Sequence, residues 1–253
     1  MPRKIALVTG ASTGIGRAAS VALARAGCDL AINYASSESE IRNTEALVVG
    51  AGARCSVIRA DVSKESDVIA MIAAVERDYG GRLDILVNNA GTTSETPPAK
   101  FDTLDVEGFD RVFGVNVRGT FLVTKHAVRL LRAAEHADIV NTASIVGLRP
   151  GPQPLPYSAS KAAIISMTRT LAGALGPSIR VNAIAPGWME GDWMMRTLGD
   201  NYDRLMERRA KATPLKRCAT AEDVADVVVA LVSSMRFVDG QVIVIDGGYS
   251  SVT

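Results

Sequence analysis

Residues 4–19 read KIALVTGASTGIGRAA, an apolar run that stops at a glycine-rich turn and passes at once into a helical pattern. In "KIALVT" 4–9 the residues Ile5, Ala6, Leu7 and Val8 are apolar without alternation, as in a strand buried on both faces. Gly10, Gly14 and Gly16 then take Cβ atoms out of the turn. Such a turn is tight, and it lets an anionic group approach the amino end of the following helix. Free amides and the helix dipole favour negative charge there. Strand, glycine turn and helix in this order predict the opening of a β-α-β dinucleotide-binding unit. The spacing is G-x3-G-x-G, unlike the usual G-x-G-x-x-G.

The same alternation continues to the end of the chain. Apolar runs rich in Val and Ile fall at 4–9, 29–33, 54–60, 83–89, 137–144, 179–185 and 241–246. Helical patterns lie between them near 15–26, 38–50, 64–79, 104–134, 157–175 and 221–233, with Ser63 and Thr220 placed as caps. Strands separated by helical crossovers give a parallel sheet. The expected fold is α/β: a doubly wound, seven-stranded parallel sheet with helices on both faces. No repeat, low-complexity stretch or linker divides the chain, and "PGPQPLP" 150–156 is too short to separate domains. Residues 1–253 are therefore read as one domain.

Composition narrows the partners. With 47% hydrophobic residues in 253, the chain can bury a sizeable core. Its net charge is +1, from 28 Lys+Arg against 27 Asp+Glu, and no long basic run appears. Neither nucleic acid nor a membrane surface is expected as a partner. Cys28, Cys55 and Cys218 are isolated, which argues for a reducing compartment and against disulfides or a zinc site. His126 and His136 make no metal signature, and no GxSxG accompanies them. The start, "MPRKIALVTG", is too short and too soon broken by glycine for a signal peptide. No window reaches the ~18 uninterrupted apolar residues that span a bilayer. A cytoplasmic protein is expected.

"LPYSASKAA" 155–163 places Tyr157 and Lys161 four residues apart, on one face of a helix. A surface Tyr beside a solvated Lys would leave the same trace. The surrounding motifs decide between the two. "TGASTGIG" 9–16, "NNAG" 88–91, "VNV" 115–117, Ser144, "YSASK" 157–161 and "APG" 185–187 stand in the order and spacing of the short-chain dehydrogenase/reductase family. The resemblance runs from Lys4 to "IDGGY" 245–249. It implies a Rossmann fold and an NAD(P)(H)-dependent oxidoreductase that interconverts a ketone and a secondary alcohol.

The resemblance carries a catalytic tetrad onto Asn116, Ser144, Tyr157 and Lys161. Tyr157 is the candidate general acid, and a nearby Lys161 ammonium is expected to lower its pKa from the ordinary ~10. Ser144, at a strand end, would hold the substrate oxygen beside the phenol. The family's matching Asn supports a water through which Lys exchanges protons, a role implied for Asn116. For the cofactor the resemblance implies Gly10, Ser12, Thr13, Gly14, Ile15 and Gly16 at the phosphates. Asn33, Tyr34, Ala35 and Ser36 would lie at the ribose, and Asp61 and Val62 at the adenine. Asn88, Ala90 and Gly91 would flank the cleft, which Tyr157, Lys161, Pro186, Gly187 and Met189 complete. No metal is implied.

Relatives that prefer NAD usually carry an acidic residue where this chain has Tyr34. Its absence removes repulsion of a 2′-phosphate, and Asn33, Ser36 and Ser37 can donate to phosphate oxygens. The basic residue common before the second glycine is here Thr13, with Arg17 and Arg42 as candidate cations. NADP(H) is the expected cofactor, with NAD(H) also accepted. The segment 188–213 should cover the substrate. Its Trp188, Met189, Trp193, Met194 and Met195 suit a small hydrophobic or aromatic ketone, although Met194 and Met195 could equally pack on the domain. Gly191 stands where relatives often have Thr.

"NYASSE" and "TPLKR" point to the 3-oxoacyl-carrier-protein reductase-like branch, which sugar and polyol dehydrogenases share. Glu135 and Pro177–Ser178 replace the basic residues that meet an acidic carrier protein, so a free ketone or alcohol is the better expectation. A dinucleotide-sensing protein is the competing class, and such sensors commonly lose the Tyr or Lys. A homotetramer is implied, with the helices around 104–134 and 157–175 at one interface; Gly173 and Ala174 replace a charged pair there.

Overall fold

The apolar run at the amino end becomes strand β1 (Lys4–Val8), in which Ala6, Leu7 and Val8 have no exposed surface. The computed structural model describes residues 3–149 and 151–252. Leu7 joins the apolar cluster on one face of the sheet, while Ala6 and Val8 join the cluster on the other. Burial on both faces explains why the run does not alternate. Each large apolar side chain removed from water in this way contributes ~1.5–3 kcal/mol.

Six more strands follow: β2 (Cys28–Tyr34), β3 (Cys55–Arg59), β4 (Ile85–Asn88), β5 (Ala137–Thr142), β6 (Ile179–Pro186) and β7 (Val242–Ile245). All pair in parallel, in the order β3-β2-β1-β4-β5-β6-β7. Leu7 lies opposite Ala31 of β2 and Leu86 of β4, so the order reverses between β1 and β4. A crevice at the carboxyl ends of those two strands follows from that reversal.

Helices α1 (Gly14–Arg25), α2 (Glu38–Gly50) and α9 (Ala221–Ser233) cover one face through Leu23, Ile41 and Val228. On the other lie α3 (Glu65–Tyr79), α5 (Thr120–Leu131) and α6 (Leu155–Leu175), with Met71, Leu130 and Ala172 in the core. Thr220 caps α9 as expected: Asp223 N donates to its hydroxyl at 3.2 Å, and its own amide donates to Asp223 Oδ2 at 2.8 Å. A reciprocal cap of this kind satisfies two orphan amides. Ser63 does not cap α3. Its hydroxyl donates to Asp61 Oδ1 at 2.7 Å, and Lys64 occupies the cap.

The helical pattern at 104–134 is not one helix. It divides into α4 (Val106–Phe113), a π-helical turn (Gly114–Gly119) and α5. A π turn inserts an extra residue without ending the helical direction, so the apolar pattern runs through it. The segment after β6 forms α7 (Asp192–Leu198) and α8 (Tyr202–Ala212), and a last helix, α10 (Tyr249–Val252), follows β7.

Candidate active site

Where β1 and β4 part, Thr9 ties their ends together. Its hydroxyl accepts from the amides of Asn89 (3.0 Å) and Ala90 (3.1 Å), while Asn89 Nδ2 donates to the carbonyls of Thr9 and Gly10. The chains approach closely. A Cβ on Gly10 would fall 2.8 Å from Ala90 Cα, and one on Gly16 would fall 2.6 Å from Asn89 Nδ2 and overlap the Gly10 carbonyl. Above this floor opens a cleft of about 1100 Å³, running from the start of α1 to the first turn of α6 and under α7.

One end of the cleft has the form of a phosphate cradle. Thr13 caps α1 with no side-chain hydrogen bond, which leaves first-turn amides for another acceptor. Gly14 has φ +54°, and nothing lies within 4 Å of where its Cβ would stand. Ser12, Thr13, Gly14 and Ile15 line this end; Gly10 does so at the floor. Gly16 is buried and serves helix-to-strand packing instead. Donors without protein acceptors around an open glycine fit a dinucleotide pyrophosphate.

Farther along this end lie Tyr34, Ala35, Ser36, Asp61 and Val62. Asn33 also reaches the cleft wall, but its amide donates to the carbonyls of Ile58 (3.3 Å) and Ala60 (3.0 Å) and accepts from Gly10 N. Its hydrogens are therefore not available to a phosphate. The two expected cations are also engaged: Arg17 pairs with Glu40 at 2.6 Å, and Arg42 with Glu45 at 2.9 Å. Arg59, which belongs to no sequence motif, lies at the end of β3. Its Nε donates to Ala35 O at 3.2 Å, and no carboxylate among the described residues pairs with it.

At the other end, Ser144 follows β5 in extended conformation, its hydroxyl donating to Pro186 O at 3.4 Å, and shares the cleft wall with Tyr157, in the first turn of α6. The turn 145–147 packs so tightly on α6 that a Cβ on Gly147 would lie 2.7 Å from the Lys161 carbonyl carbon. Lys161 is 5% exposed; its Nζ donates to Thr142 O at 2.6 Å and lies over the Tyr157 ring, 5.5 Å from its centre. Burial pushes the Tyr157 phenol up to about 12, with the neighbouring Ser144 hydroxyl acting against it. Burial also pushes Lys161 down to about 8. The expected lowering of the phenol is thus reversed in the protein alone, because desolvation penalises both charged forms.

Asn116 sits in the π turn, 1% exposed and outside the cleft lining. Its Oδ1 accepts from Thr92 N at 2.8 Å, and its Nδ2 donates to Thr92 O (3.0 Å) and Ser160 Oγ (2.9 Å). Ser160 in turn donates to the Tyr157 carbonyl at 2.7 Å. Asn116 therefore reaches the site through the backbone that carries Tyr157. Asn88, also expected in the cleft, is buried on Thr124 and Asn141, and its neighbour Asn89 lines the cleft instead. Ala90, Gly91, Pro186, Gly187 and Met189 lie where expected.

Over Tyr157 stands Trp193, with ring centres 6.4 Å apart. Trp188, Met189 and Met194 complete an apolar wall, while Met195 is 52% exposed and off the cleft. Gly191 has φ +119°, a conformation that excludes the Thr of relatives without strain. Arg149, Gln153, Tyr202 and Tyr249 also line this end. Arg149 and Gln153 come from the loop after β5, Tyr202 from the start of α8 and Tyr249 from the start of α10, and it is the fold that brings them together.

The family model described as enoyl-(acyl carrier protein) reductase matches residues 10–250. A short-chain type dehydrogenase/reductase of Picea abies is 35% identical over 253 residues, covering 97% of this chain and 92% of the relative. The chain belongs to the short-chain dehydrogenase/reductase family. A 3-oxoacyl-[acyl-carrier-protein] reductase of Staphylococcus epidermidis is 36% identical, with 97% and 98% covered. Among solved structures, NAD+-bound xylitol dehydrogenase superposes with a TM-score of 0.86 at 32% identity, over 97% of this chain and 98% of that one. A variant of actinorhodin polyketide ketoreductase with NADPH gives 0.89 at 29%, over 98% and 97%. The protein is thus an oxidoreductase of this family, using a nicotinamide dinucleotide. Among the described residues no helix is long and apolar enough to cross a membrane.

Proposed function

We propose that this short-chain dehydrogenase/reductase interconverts a small hydrophobic ketone and its secondary alcohol, working as a reductase with NADPH. The observation that carries the reading is the meeting of Ser144, Tyr157 and Lys161 at one cleft wall, with the buried Lys161 ammonium over the Tyr157 ring. A bound nicotinamide supplies the hydride to the carbonyl carbon, or accepts it in the reverse direction. Tyr157, a phenol protonated at neutral pH, donates its proton to the substrate oxygen. Ser144 holds that oxygen beside the phenol. Lys161 carries positive charge below about 8 and favours the phenolate left after transfer. Asn116, through Ser160, fixes the backbone turn on which Tyr157 rides.

Preference for NADPH is supported by the absence of a carboxylate at Tyr34 and by the guanidinium of Arg59 beside Ala35, which no carboxylate among the described residues pairs with. The substrate class is supported by Trp193 over Tyr157, which offers a flat apolar face to a ring-bearing ketone. The relative from Staphylococcus epidermidis favours a second reading, reduction of a carrier-bound 3-oxoacyl group. Exposed Glu135 would meet an acidic carrier with like charge. Exposed Val106, Phe121 and Leu155 are consistent with a homotetramer built through α4, α5 and α6, which sedimentation tests. The function is tested by turnover of cyclic ketones, polyols and a 3-oxoacyl thioester with NADPH and NADH. Binding of cofactor without turnover of any of them would favour a sensor.

A further inference from the structure

Helix α8 reaches the substrate end of the cleft through Tyr202, with little apolar surface to hold it there. Its sequence, YDRLMERRAKA, is mostly charged, and Met206 is its one buried residue. Arg209 does not point to solvent like its neighbours. Its guanidinium carbon lies 4.3 Å from the centre of the Trp188 ring and 5.9 Å from that of Tyr249, and Nη1 donates to the Tyr249 hydroxyl at 2.7 Å. Both rings line the cleft. They come from distant segments, the turn after β6 and the first residue of α10.

The backbone beneath each ring is fixed. Trp188 O accepts from Ala219 N at 2.9 Å, while Asp246 accepts from the amides of Gly248 (2.9 Å) and Ser250 (2.7 Å). Gly247, at φ +62°, lets the terminal segment press on the end of α8: a Cβ there would fall 2.7 Å from Thr213 Cγ2. Arg209 Nε is buried with no hydrogen-bond partner among the described residues. A guanidinium tolerates that loss where a ring covers its planar face, as Trp188 does here.

We propose that Arg209 is a positioning residue for the substrate: inserted between Trp188 and Tyr249, it fixes two rings of the cleft wall and holds α8 over the ketone. This rests on the proposed function for its kinetic consequence, but not for its structural one. The test compares Arg209→Ala, Arg209→Lys and Tyr249→Phe with Arg208→Ala, an exposed neighbour on the same helix. Amide hydrogen exchange over 202–212 and acrylamide quenching of Trp188 in a Trp193→Phe background report the cover. KM and kcat for an accepted ketone, with the NADPH dissociation constant, report the site.

Arg209→Ala should speed exchange in α8, expose Trp188 and raise KM about tenfold, while kcat moves less than about threefold and NADPH binding holds. Arg209→Lys keeps the charge without the planar stack and should follow the alanine variant. Tyr249→Phe keeps the ring, takes away the hydroxyl that accepts from Arg209, and should give a smaller change of the same sign, which decides the matter if Arg209→Ala fails to fold. Arg208→Ala should change nothing. Unaltered α8 exchange and KM in folded Arg209 and Tyr249 variants would overturn the proposal. If the wild-type protein reduces no ketone, the reductase reading fails, and exchange and quenching still decide the role of Arg209.

Discussion

Ser144, just past the end of β5, acts on the phenol of Tyr157, in the first turn of α6, and draws its pKa down. The Ser144 hydroxyl thus opposes the burial that pushes Tyr157 up to about 12. Ser144→Ala should therefore raise the phenol further and remove the group that holds the substrate oxygen. Its kcat for ketone reduction should fall by ~10²–10³, the usual loss for one preorganised donor. Tyr157→Phe should lose ~10²–10⁴, the contribution of a general acid. Cofactor binding, read by fluorescence titration, should survive in both. Undiminished turnover in Tyr157→Phe would remove the mechanism.

Lys161 gives a pH dependence whose sign is fixed by its burial. Its folded pKa, about 8, lies below the ordinary 10.5, so between those values the unfolded chain holds the extra proton. Stability rises with pH wherever the unfolded state binds more protons. The cofactor-free protein should gain stability as pH rises from 8 toward 10, and Lys161→Met should flatten that slope. Tyr157 acts oppositely above pH 10, because its folded pKa is raised to about 12. Melting temperatures across pH 7–11 check both arms. Affinity for an anionic dinucleotide should weaken over the same window as Lys161 loses its charge.

The glycine turn divides into two kinds of position. Gly14 faces open space, whereas a Cβ on Gly16 would collide with the Gly10 carbonyl and the Asn89 side chain. Gly16→Ala should destabilise the protein by ~1–3 kcal/mol through overpacking. Gly14→Ala carries only the strain of φ +54° and should instead weaken cofactor binding. Urea midpoints and cofactor titrations on the two variants separate packing from cradle. Equal effects on stability would contradict the division.

Much of this site can be read from the chain because its parts are local. β1, its turn and α1 are consecutive, and Tyr157 and Lys161 are one helical turn apart. What the sequence hides is set by distant partners. Arg17 looks like a phosphate cation until Glu40 closes on it, and Asn33 looks like a donor until the carbonyls of β3 take its hydrogens. The division of 104–134 escapes notice because a π turn keeps the apolar pattern of a helix. Asn88 and Asn89 are neighbours with opposite surroundings: the first ends a buried strand, and the second stands just past its carboxyl edge. Arg209 resembles any surface arginine until Trp188 and Tyr249 come from either side.

Arg59 offers the sharpest test of cofactor preference. Tyr34 and Arg59 are register partners on β2 and β3, so their side chains leave the sheet on the same face. The hydrogen bond from Arg59 Nε to Ala35 O holds the guanidinium at the loop that bounds the adenosine end of the cleft. Arg17 and Arg42 are neutralised by glutamates, which leaves Arg59 as the unpaired cation at that loop among the described residues. A charge-assisted contact with a 2′-phosphate is typically worth ~1.5–3 kcal/mol. Arg59→Gln should therefore weaken NADPH binding about tenfold or more while leaving NADH nearly unchanged, since 1.4 kcal/mol is a factor of about ten. Arg59→Glu should go further and reverse the preference by repelling the phosphate. Dissociation constants for both cofactors, measured at low and high salt, decide it. A wild-type preference for NADH would reject the NADP(H) reading itself, whereas an NADPH preference unmoved by either substitution would show that Arg59 is not its source.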